Sequence, residues 1–174
     1  LMFARENLCE VQDESVAFLS WDLIKKSCIL KGFYKPLSDN PIYCGIDVGR
    51  VRDATAIEGF QAVDGKYYHV FEKILHGIEI PVQTREIRNL NEKYDLHSIN
   101  IDKTGLGLGL YDYLRKEIGG KVRGVNFSRE VKTKIATSLR NKIQDDEVFF
   151  INNNSFMDEL HSLPYDTLNA AHTN

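Results

Sequence analysis

The pair Asp64-Gly65 is the sequence feature that most restricts the fold of this chain. It separates two β-rich runs, residues 54–63 and 66–75. An Asp-Gly pair between such runs is typical of a two-residue hairpin turn, because both turn positions need positive φ angles. An almost entirely apolar run at residues 42–48 precedes them and has the length of a buried strand. The sequence therefore predicts a three-stranded antiparallel meander.

After the meander, helical and β-rich patterns alternate along the chain. A helix is predicted to begin at Pro81 and to continue to residue 94, because proline is tolerated in a first turn and apolar residues recur at helical spacing. The further predicted elements are a strand over residues 98–102, a helix over 110–118, a strand over 122–127, and helices over 132–143 and 157–163. This order predicts an α/β fold, with the meander and parallel strands in one mixed sheet flanked by helices.

Composition limits the class of protein. A chain of 174 residues with 43% hydrophobic content suits one main domain. The net charge of −3 excludes a globally basic nucleic-acid binder but permits a local basic patch. Cys9, Cys28 and Cys44 are odd in number and lack C-x-x-C spacing, so we expect reduced thiols in an intracellular protein. The sequence lacks a signal-peptide layout and an apolar run long enough to span a bilayer, so we expect a soluble protein without a membrane partner.

Two aspartates end apolar runs, Asp47 after residues 42–46 and Asp102 after 99–101. Parallel strands place their carboxyl ends along one rim of a sheet, where the two carboxylates are expected to meet. An ionised carboxylate is costly to bury there without a compensating cation. Carboxylate oxygens suit Mg²⁺ or Mn²⁺, and two such ions can support phosphodiester cleavage. Asp53 follows six residues after Asp47 and is a candidate third metal ligand or supporting group. The alternative is that each aspartate only shapes a turn or caps a helix.

The segment from residue 121 to 142 is the one strongly basic part of the chain. A basic stripe beside an acidic metal site is what a DNA nuclease needs, because its cations neutralise backbone phosphates. A solvated helix face is the alternative explanation. The candidate DNA-binding residues are Arg129, Lys132, Lys134, Arg140 and Lys142.

Other motifs exclude several classes of enzyme. The glycine-rich loop at residues 104–109 lacks the third glycine of a dinucleotide fingerprint and the lysine of a Walker motif. It is expected to turn the backbone tightly beside Asp102, and it offers a helix start that can approach a phosphate. The histidines lack H-E-x-x-H spacing and there is no G-x-S-x-G elbow, so zinc-hydrolase and serine-hydrolase mechanisms are excluded.

Three segments of the chain resemble the C-terminal nuclease domain of the large terminase subunit of tailed double-stranded DNA bacteriophages. They are residues 43–57, residues 101–107, and residues 125–128 followed by Lys132. In addition, residues 3–10 resemble the stretch that leaves the ATPase domain in such proteins. The resemblance covers most of the chain.

This resemblance implies a ribonuclease-H-like fold and a metal-dependent endonuclease that cuts DNA concatemers during viral genome packaging. It implies Mg²⁺ or Mn²⁺, two ions, with Asp47 and Asp102 as catalytic metal ligands. Residues 1–40 are then a linker or tail from an ATPase domain, and residues 41–174 form the nuclease domain. The family's final acidic ligand is expected beyond this chain, because Asp158 and Asp166 precede its expected position. The implied partners are double-stranded DNA, the small terminase subunit and the portal protein, in the host cytoplasm.

Two other classes of function fit parts of the pattern. The run 45–49 followed by a hairpin also suits the first strand of a sugar-kinase or actin-like ATPase lobe. A non-catalytic module that docks to the packaging motor is a second alternative. Among nucleases, a Holliday-junction resolvase or a transposase uses the same arrangement of carboxylates, so only the resemblance favours a terminase.

Overall fold

A six-stranded mixed sheet lies at the centre of the molecule. The structure is a computed structural model that describes residues 17–49, 54–105 and 107–163. In chain order the elements are α1 (Trp21–Ser27), β1 (Ile42–Asp47), β2 (Thr55–Val63), β3 (Lys66–Leu75), α2 (Ile80–Tyr94), β4 (Ser98–Asp102), α3 (Gly107–Ile118), a 3-10 turn (Gly119–Lys121), β5 (Val122–Val125), α4 (Arg129–Gln144), β6 (Val148–Phe149) and α5 (Asn154–His161).

The strand order across the sheet is β5-β4-β1-β2-β3-β6. Strand β2 pairs antiparallel with β1 and β3, whereas the pairs β1–β4, β4–β5 and β3–β6 are parallel. At the turn between β2 and β3, Asp64 has φ 49° and Gly65 has φ 78°, as a primed hairpin turn requires. The predicted meander and the mixed α/β fold are therefore confirmed.

The first face of the sheet is covered by helices. Along β1 the side chains of Ile42, Cys44 and Ile46 are buried on this face and alternate with more exposed positions. Helices α2 and α3 contribute Ile87 and Leu110 to the same core. Because side chains alternate along a strand, Asp47 and the other intervening residues of β1 belong to the second face.

A second core lies on the other side of the sheet, near β3 and β6. It joins Phe18 and Ile24 at α1, Ile143 of α4, and Val148 and Phe150 at β6. Residues before position 40 thus contribute to a core. Their assignment as a linker from a preceding domain stays a prediction, and residues 1–16 lie outside the described residues.

Several element boundaries differ from the prediction for local reasons. Helix α3 begins at Gly107 rather than at residue 110, and α4 begins at Arg129, where the hydroxyl of Ser128 accepts a hydrogen bond from the Val131 N–H. Within the predicted helix over residues 132–143, Ile135 is 48% exposed and does not join the core. Helix α4 packs on the second core through its C-terminal half, at Leu139 and Ile143. The apolar side chains of this helix therefore extend further along it than the part that is buried.

Cys28 and Cys44 are free and buried. Burial, followed by the charge of Glu58, raises the pKa of the Cys44 thiol to about 12, so this thiol stays protonated at neutral pH. Cys9 lies outside the described residues. No described helix has the length and apolar character needed to cross a membrane.

Candidate functional site

Asp47 and Asp102 lie side by side at one edge of the sheet. The last paired residues of the parallel strands β1 and β4 are Ile46 and Ile101, and each aspartate is the next residue of its strand. Because both isoleucines are buried on the first face, both aspartates belong to the second face. Neighbouring strands are about 4.8 Å apart, so the two carboxylates are within reach of a shared ligand.

The environment of Asp47 differs from the expectation. Asp47 is exposed, so the predicted cost of burying its charge does not arise. It makes no hydrogen bond or ion pair to another residue in the part of the chain that the structure describes. The position of Asp47 beside Asp102 and its unpartnered carboxylate oxygens leave this side chain able to bind a ligand.

Asp102 has a structural role as well as a free oxygen. Its Oδ1 accepts hydrogen bonds from the Thr104 backbone N–H at 2.9 Å and from the Thr104 hydroxyl at 2.8 Å. The turn-shaping role that was the alternative for this residue is thus present. Both bonds use the same oxygen, which orients the carboxylate and leaves Oδ2 without a hydrogen-bond partner within the described ranges.

The predicted tight turn beside Asp102 is also present. Gly105 has φ 58°, a conformation that L side chains rarely adopt. At Gly107, an added Cβ would lie 1.7 Å from the backbone oxygen of Asp102. The first turn of α3 therefore lies directly against the end of β4, beside the residue that carries one of the two carboxylates.

The described residues supply only part of a metal site. Within them, no group of three or more histidine, cysteine, aspartate or glutamate side chains is arranged to hold a metal ion. Asp53, the predicted third ligand, lies outside the described residues, and so does Asp166. Asp158 is in α5, and its role is not assigned. The described part of the site thus consists of Asp47 and Asp102.

Sequence reasoning missed a third acidic residue on the second face of the sheet. Glu58 lies in β2 opposite Gly45 and, on its other side, opposite Glu72 of β3. Its Oε2 lies 2.7 Å from Nε2 of His69, a fully buried side chain. Burial raises the pKa of Glu58, opposed by its bond to His69 and reinforced by Glu72 and Glu159. A glutamate between apolar residues of a predicted strand is the signal that could have identified it.

This raised pKa predicts how stability depends on pH. Because the pKa of Glu58 is raised in the folded state, folding favours its protonated form. The stability that this provides is complete below the ordinary glutamate pKa and is lost as pH rises through the folded-state pKa. We therefore expect Glu58→Gln to melt at a higher temperature than the wild type near pH 8, and the difference to disappear near pH 4. Thermal melts across this range measure it. A difference that does not change with pH would contradict the assignment.

The five predicted DNA-binding residues differ in whether their charged groups already have a partner within the protein. Lys134 pairs with Glu130 at 2.7 Å, and Lys142 pairs with Glu147 at 2.8 Å. Arg140 lies over the ring of Phe18, 5.5 Å from its centre. The remaining cations, Arg129 and Lys132, are exposed and have no acidic partner among the described residues.

Arg129 and Lys132, which have no acidic partner within the described residues, lie at the start of α4, next to the end of the sheet that carries the carboxylates. Val125, at the end of β5, pairs with Asp102 of β4. Helix α4 starts at Arg129, four residues later, so its first turn follows directly from this edge. The structure thus places a basic helix start and two carboxylates at neighbouring positions in the fold.

Residues 44–171 match the family model of the terminase RNase H-like domain. The chain belongs to this family. The matched residues include both aspartates and all six strands except the first two residues of β1. The predicted resemblance to large terminase nuclease domains is therefore confirmed.

Two curated phage proteins are similar in sequence. The terminase ATPase subunit of Escherichia phage P2 is 24% identical over 150 residues, which are 79% of this chain and 25% of that protein. A probable terminase ATPase subunit of Haemophilus phage HP1 is 25% identical over 117 residues, which are 66% of this chain and 19% of that protein. The chain therefore spans about a quarter or less of these relatives.

Solved terminase structures share the fold. The large terminase nuclease from thermophilic phage G20c, with bound cobalt, superposes with a TM-score of 0.71 at 18% identity and covers 86% of this chain and 81% of that one. The magnesium-bound form of the same nuclease gives 0.70 at 17% identity, covering 84% and 79%. The large terminase of bacteriophage HK97 gives 0.62 at 13% identity, covering 81% and 35%. The RNase H-like terminase fold is thus established for this chain.

Proposed function

We propose that this chain is a divalent-metal-dependent endonuclease domain that cuts double-stranded DNA during viral genome packaging. The observation that carries the proposal is the position of Asp47 and Asp102 at the adjoining ends of two parallel strands. Two neighbouring carboxylates at the rim of a sheet, each with at least one oxygen that has no partner among the described residues, form a hard-oxygen site that is open to a large substrate. The family and the fold support this proposal.

The donor chemistry fits a divalent cation. Asp47 and the free Oδ2 of Asp102 would hold Mg²⁺ or Mn²⁺, and Asp53 is the proposed further ligand. Such ions, two in the proposed site, supply an activated water and stabilise charge on the leaving oxygen of a phosphodiester. The similar nuclease from phage G20c has been solved with bound magnesium, zinc and cobalt.

The remaining residues of the site would orient the carboxylates and the DNA. Thr104 fixes the rotation of the Asp102 carboxylate through two hydrogen bonds. Arg129 and Lys132 would neutralise phosphates that flank the cut bond, because they are exposed and unpaired within the described ranges. Lys134, Arg140 and Lys142 are proposed as weaker contributors, because each has an intramolecular partner.

We further propose that the chain works as part of a larger packaging protein. Its curated relatives are terminase ATPase subunits of which it spans only a quarter or less. In this proposal residues 1–40 connect the domain to an ATPase domain. The portal protein and the small terminase subunit are the proposed protein partners, in the cytoplasm of the host.

Supercoiled plasmid provides the test of the proposed activity. The purified chain and an Asp47→Ala variant are incubated with plasmid in EDTA, Mg²⁺ or Mn²⁺, and nicked and linear products are separated on a gel. Cutting that requires metal and disappears in the variant supports the nuclease. A longer piece of the parent protein is tested in parallel, since this chain spans only about a quarter or less of its curated relatives. Absence of cutting by both chains would overturn the proposal and favour a docking module.

DNA binding by the start of α4 gives a separate prediction. We expect the double substitution Arg129→Ala, Lys132→Ala to reduce the slope of log affinity against log salt by about two, roughly one for each phosphate that the protein no longer neutralises. Fluorescence anisotropy with a labelled duplex in Ca²⁺ measures the slope. Lys116→Ala is the control, because Lys116 is exposed on α3 and no DNA contact is assigned to it. An equal effect of the control would contradict the assignment.

A further inference from the structure

Two buried polar side chains on the first face of the sheet have no role in the function described so far. Thr55, the first residue of β2, is 1% exposed, and Gln83 of α2 is 5% exposed. Burying a hydroxyl and an amide costs free energy unless both are hydrogen-bonded. Apolar residues of similar size would fill the same space without that cost. The hydrogen bonds of Thr55 and Gln83 therefore indicate the role of these two polar side chains.

The two side chains form one continuous chain of hydrogen bonds. The Gly49 backbone N–H donates to Oγ1 of Thr55 at 3.2 Å, and the Thr55 hydroxyl donates to Oε1 of Gln83 at 3.0 Å. Nε2 of Gln83 then donates to the backbone oxygen of Ile78 at 2.7 Å. The opposite amide orientation would set two oxygens against each other at Ile78, so the direction of every bond is determined.

This chain of bonds acts on the backbone next to Asp47. Gly49 is two residues after Asp47, and Thr55 precedes Ala56, which pairs with Asp47 across β1 and β2. The Thr55 hydroxyl thus connects the backbone that leaves β1 to the start of β2. Gln83 in turn holds Thr55 against helix α2 and the segment before it.

We propose that Thr55 and Gln83 are positioning residues for the metal site. They fix the path of the backbone after Asp47, and thereby hold its carboxylate in register with Asp102. The inference rests on the proposed function, since it assigns these residues to the same metal site. Groups that orient metal ligands from behind typically change metal affinity or activity by about 10- to 100-fold when they are removed.

Thr55→Val tests the hydroxyl with little change of shape. We expect this variant to bind Mn²⁺ about tenfold more weakly than the wild type by calorimetry, and to need correspondingly more Mn²⁺ for cutting. Thr55→Ser keeps the hydroxyl and should bind within about threefold of the wild type. Gln83→Met, which removes the amide, should resemble Thr55→Val. Wild-type affinity in Thr55→Val would overturn the proposal.

Thr84→Val separates positioning from general destabilisation. Thr84 neighbours Gln83 in α2, is 4% exposed, and donates its hydroxyl to the Ile80 backbone oxygen at 2.8 Å, outside the chain of bonds. The Thr84→Val variant should have a lower melting temperature than the wild type in EDTA but the same Mn²⁺ affinity. Equal losses of Mn²⁺ affinity in Thr84→Val and Thr55→Val would show a structural effect alone and overturn the assignment.

Hydrogen exchange distinguishes failure of this inference from failure of the proposed function. The Gly49 amide should be protected in the wild type without metal and should exchange faster in Thr55→Val, because its acceptor has been removed. Unchanged protection would overturn the positioning role whatever the activity. A different outcome is that exchange responds as expected while neither the wild-type chain nor the longer piece of the parent protein binds Mn²⁺ or cuts DNA. In that case the proposed function fails, and the role in a metal site fails with it.

Discussion

Gly107→Ala is expected to lower the melting temperature by about 6 to 12 °C, corresponding to roughly 3 kcal/mol or more of overpacking. The reason is the position of α3 against the end of β4. A Cβ at residue 107 would lie 1.7 Å from the Asp102 backbone oxygen and 2.9 Å from its carbonyl carbon. Backbone atoms cannot rotate away as a flexible side chain can, so the helix start or the strand end must move.

The same substitution is expected to abolish cutting, because the movement falls on the residue that carries one of the two carboxylates. Gly109→Ala is the matched control in the same helix. A Cβ there would lie 3.6 Å from Cδ1 of Ile80, an ordinary contact. Replacing glycine by alanine within a helix should then stabilise the protein by about 0.5 to 1 kcal/mol. Melting temperatures that fall equally in both variants would contradict the close approach at Gly107.

Asp47→Asn and Asp102→Asn are each expected to reduce the rate of cutting about a thousandfold, the equivalent of roughly 4 kcal/mol of transition-state stabilisation. Asparagine keeps the size of the side chain but removes the charge that attracts a cation. Because both residues belong to one proposed site, the double variant should be little slower than either single variant. The rates come from plasmid nicking at saturating Mg²⁺, normalised to folded protein.

Asp112→Asn provides the control for loss of a carboxylate. Asp112 is exposed on α3, and no role in the site is assigned to it. Its cutting rate should stay within about threefold of the wild type, since isolated surface charges contribute little. If Asp47→Asn or Asp102→Asn also stayed within that range, the proposed site would be wrong.

Much of this fold could be predicted from sequence because its signals are local. The Asp64-Gly65 turn and the alternating runs on either side of it indicated β2 and β3 closely. Strand β6 was missed, since its two residues, Val148 and Phe149, are too few to show a pattern. The start of α3 was placed late because Gly107 is a poor helix former, selected here by the close approach to Asp102.

Asp47 and Asp102 could be predicted as candidate site residues because each ends an apolar strand. The parallel arrangement of β1 and β4 brings Asp47 and Asp102 together, as their positions after apolar runs predicted. The exposure of Asp47 was not predictable, because it depends on which helices cover the second face. The buried chain of hydrogen bonds through Thr55 and Gln83 depends on residues far apart in sequence, and neither residue has a local pattern that indicates it.

Calorimetric titration of Mn²⁺ into the wild type, Asp47→Asn and Asp102→Asn tests most directly whether the two aspartates form one metal site. The melting temperatures of all three proteins in EDTA are compared first, so that loss of fold is not mistaken for loss of binding. We expect saturable binding by the wild type and at least about tenfold weaker binding by each variant. Binding that is equally strong in all three proteins, or absent from the wild type, would contradict a shared metal site.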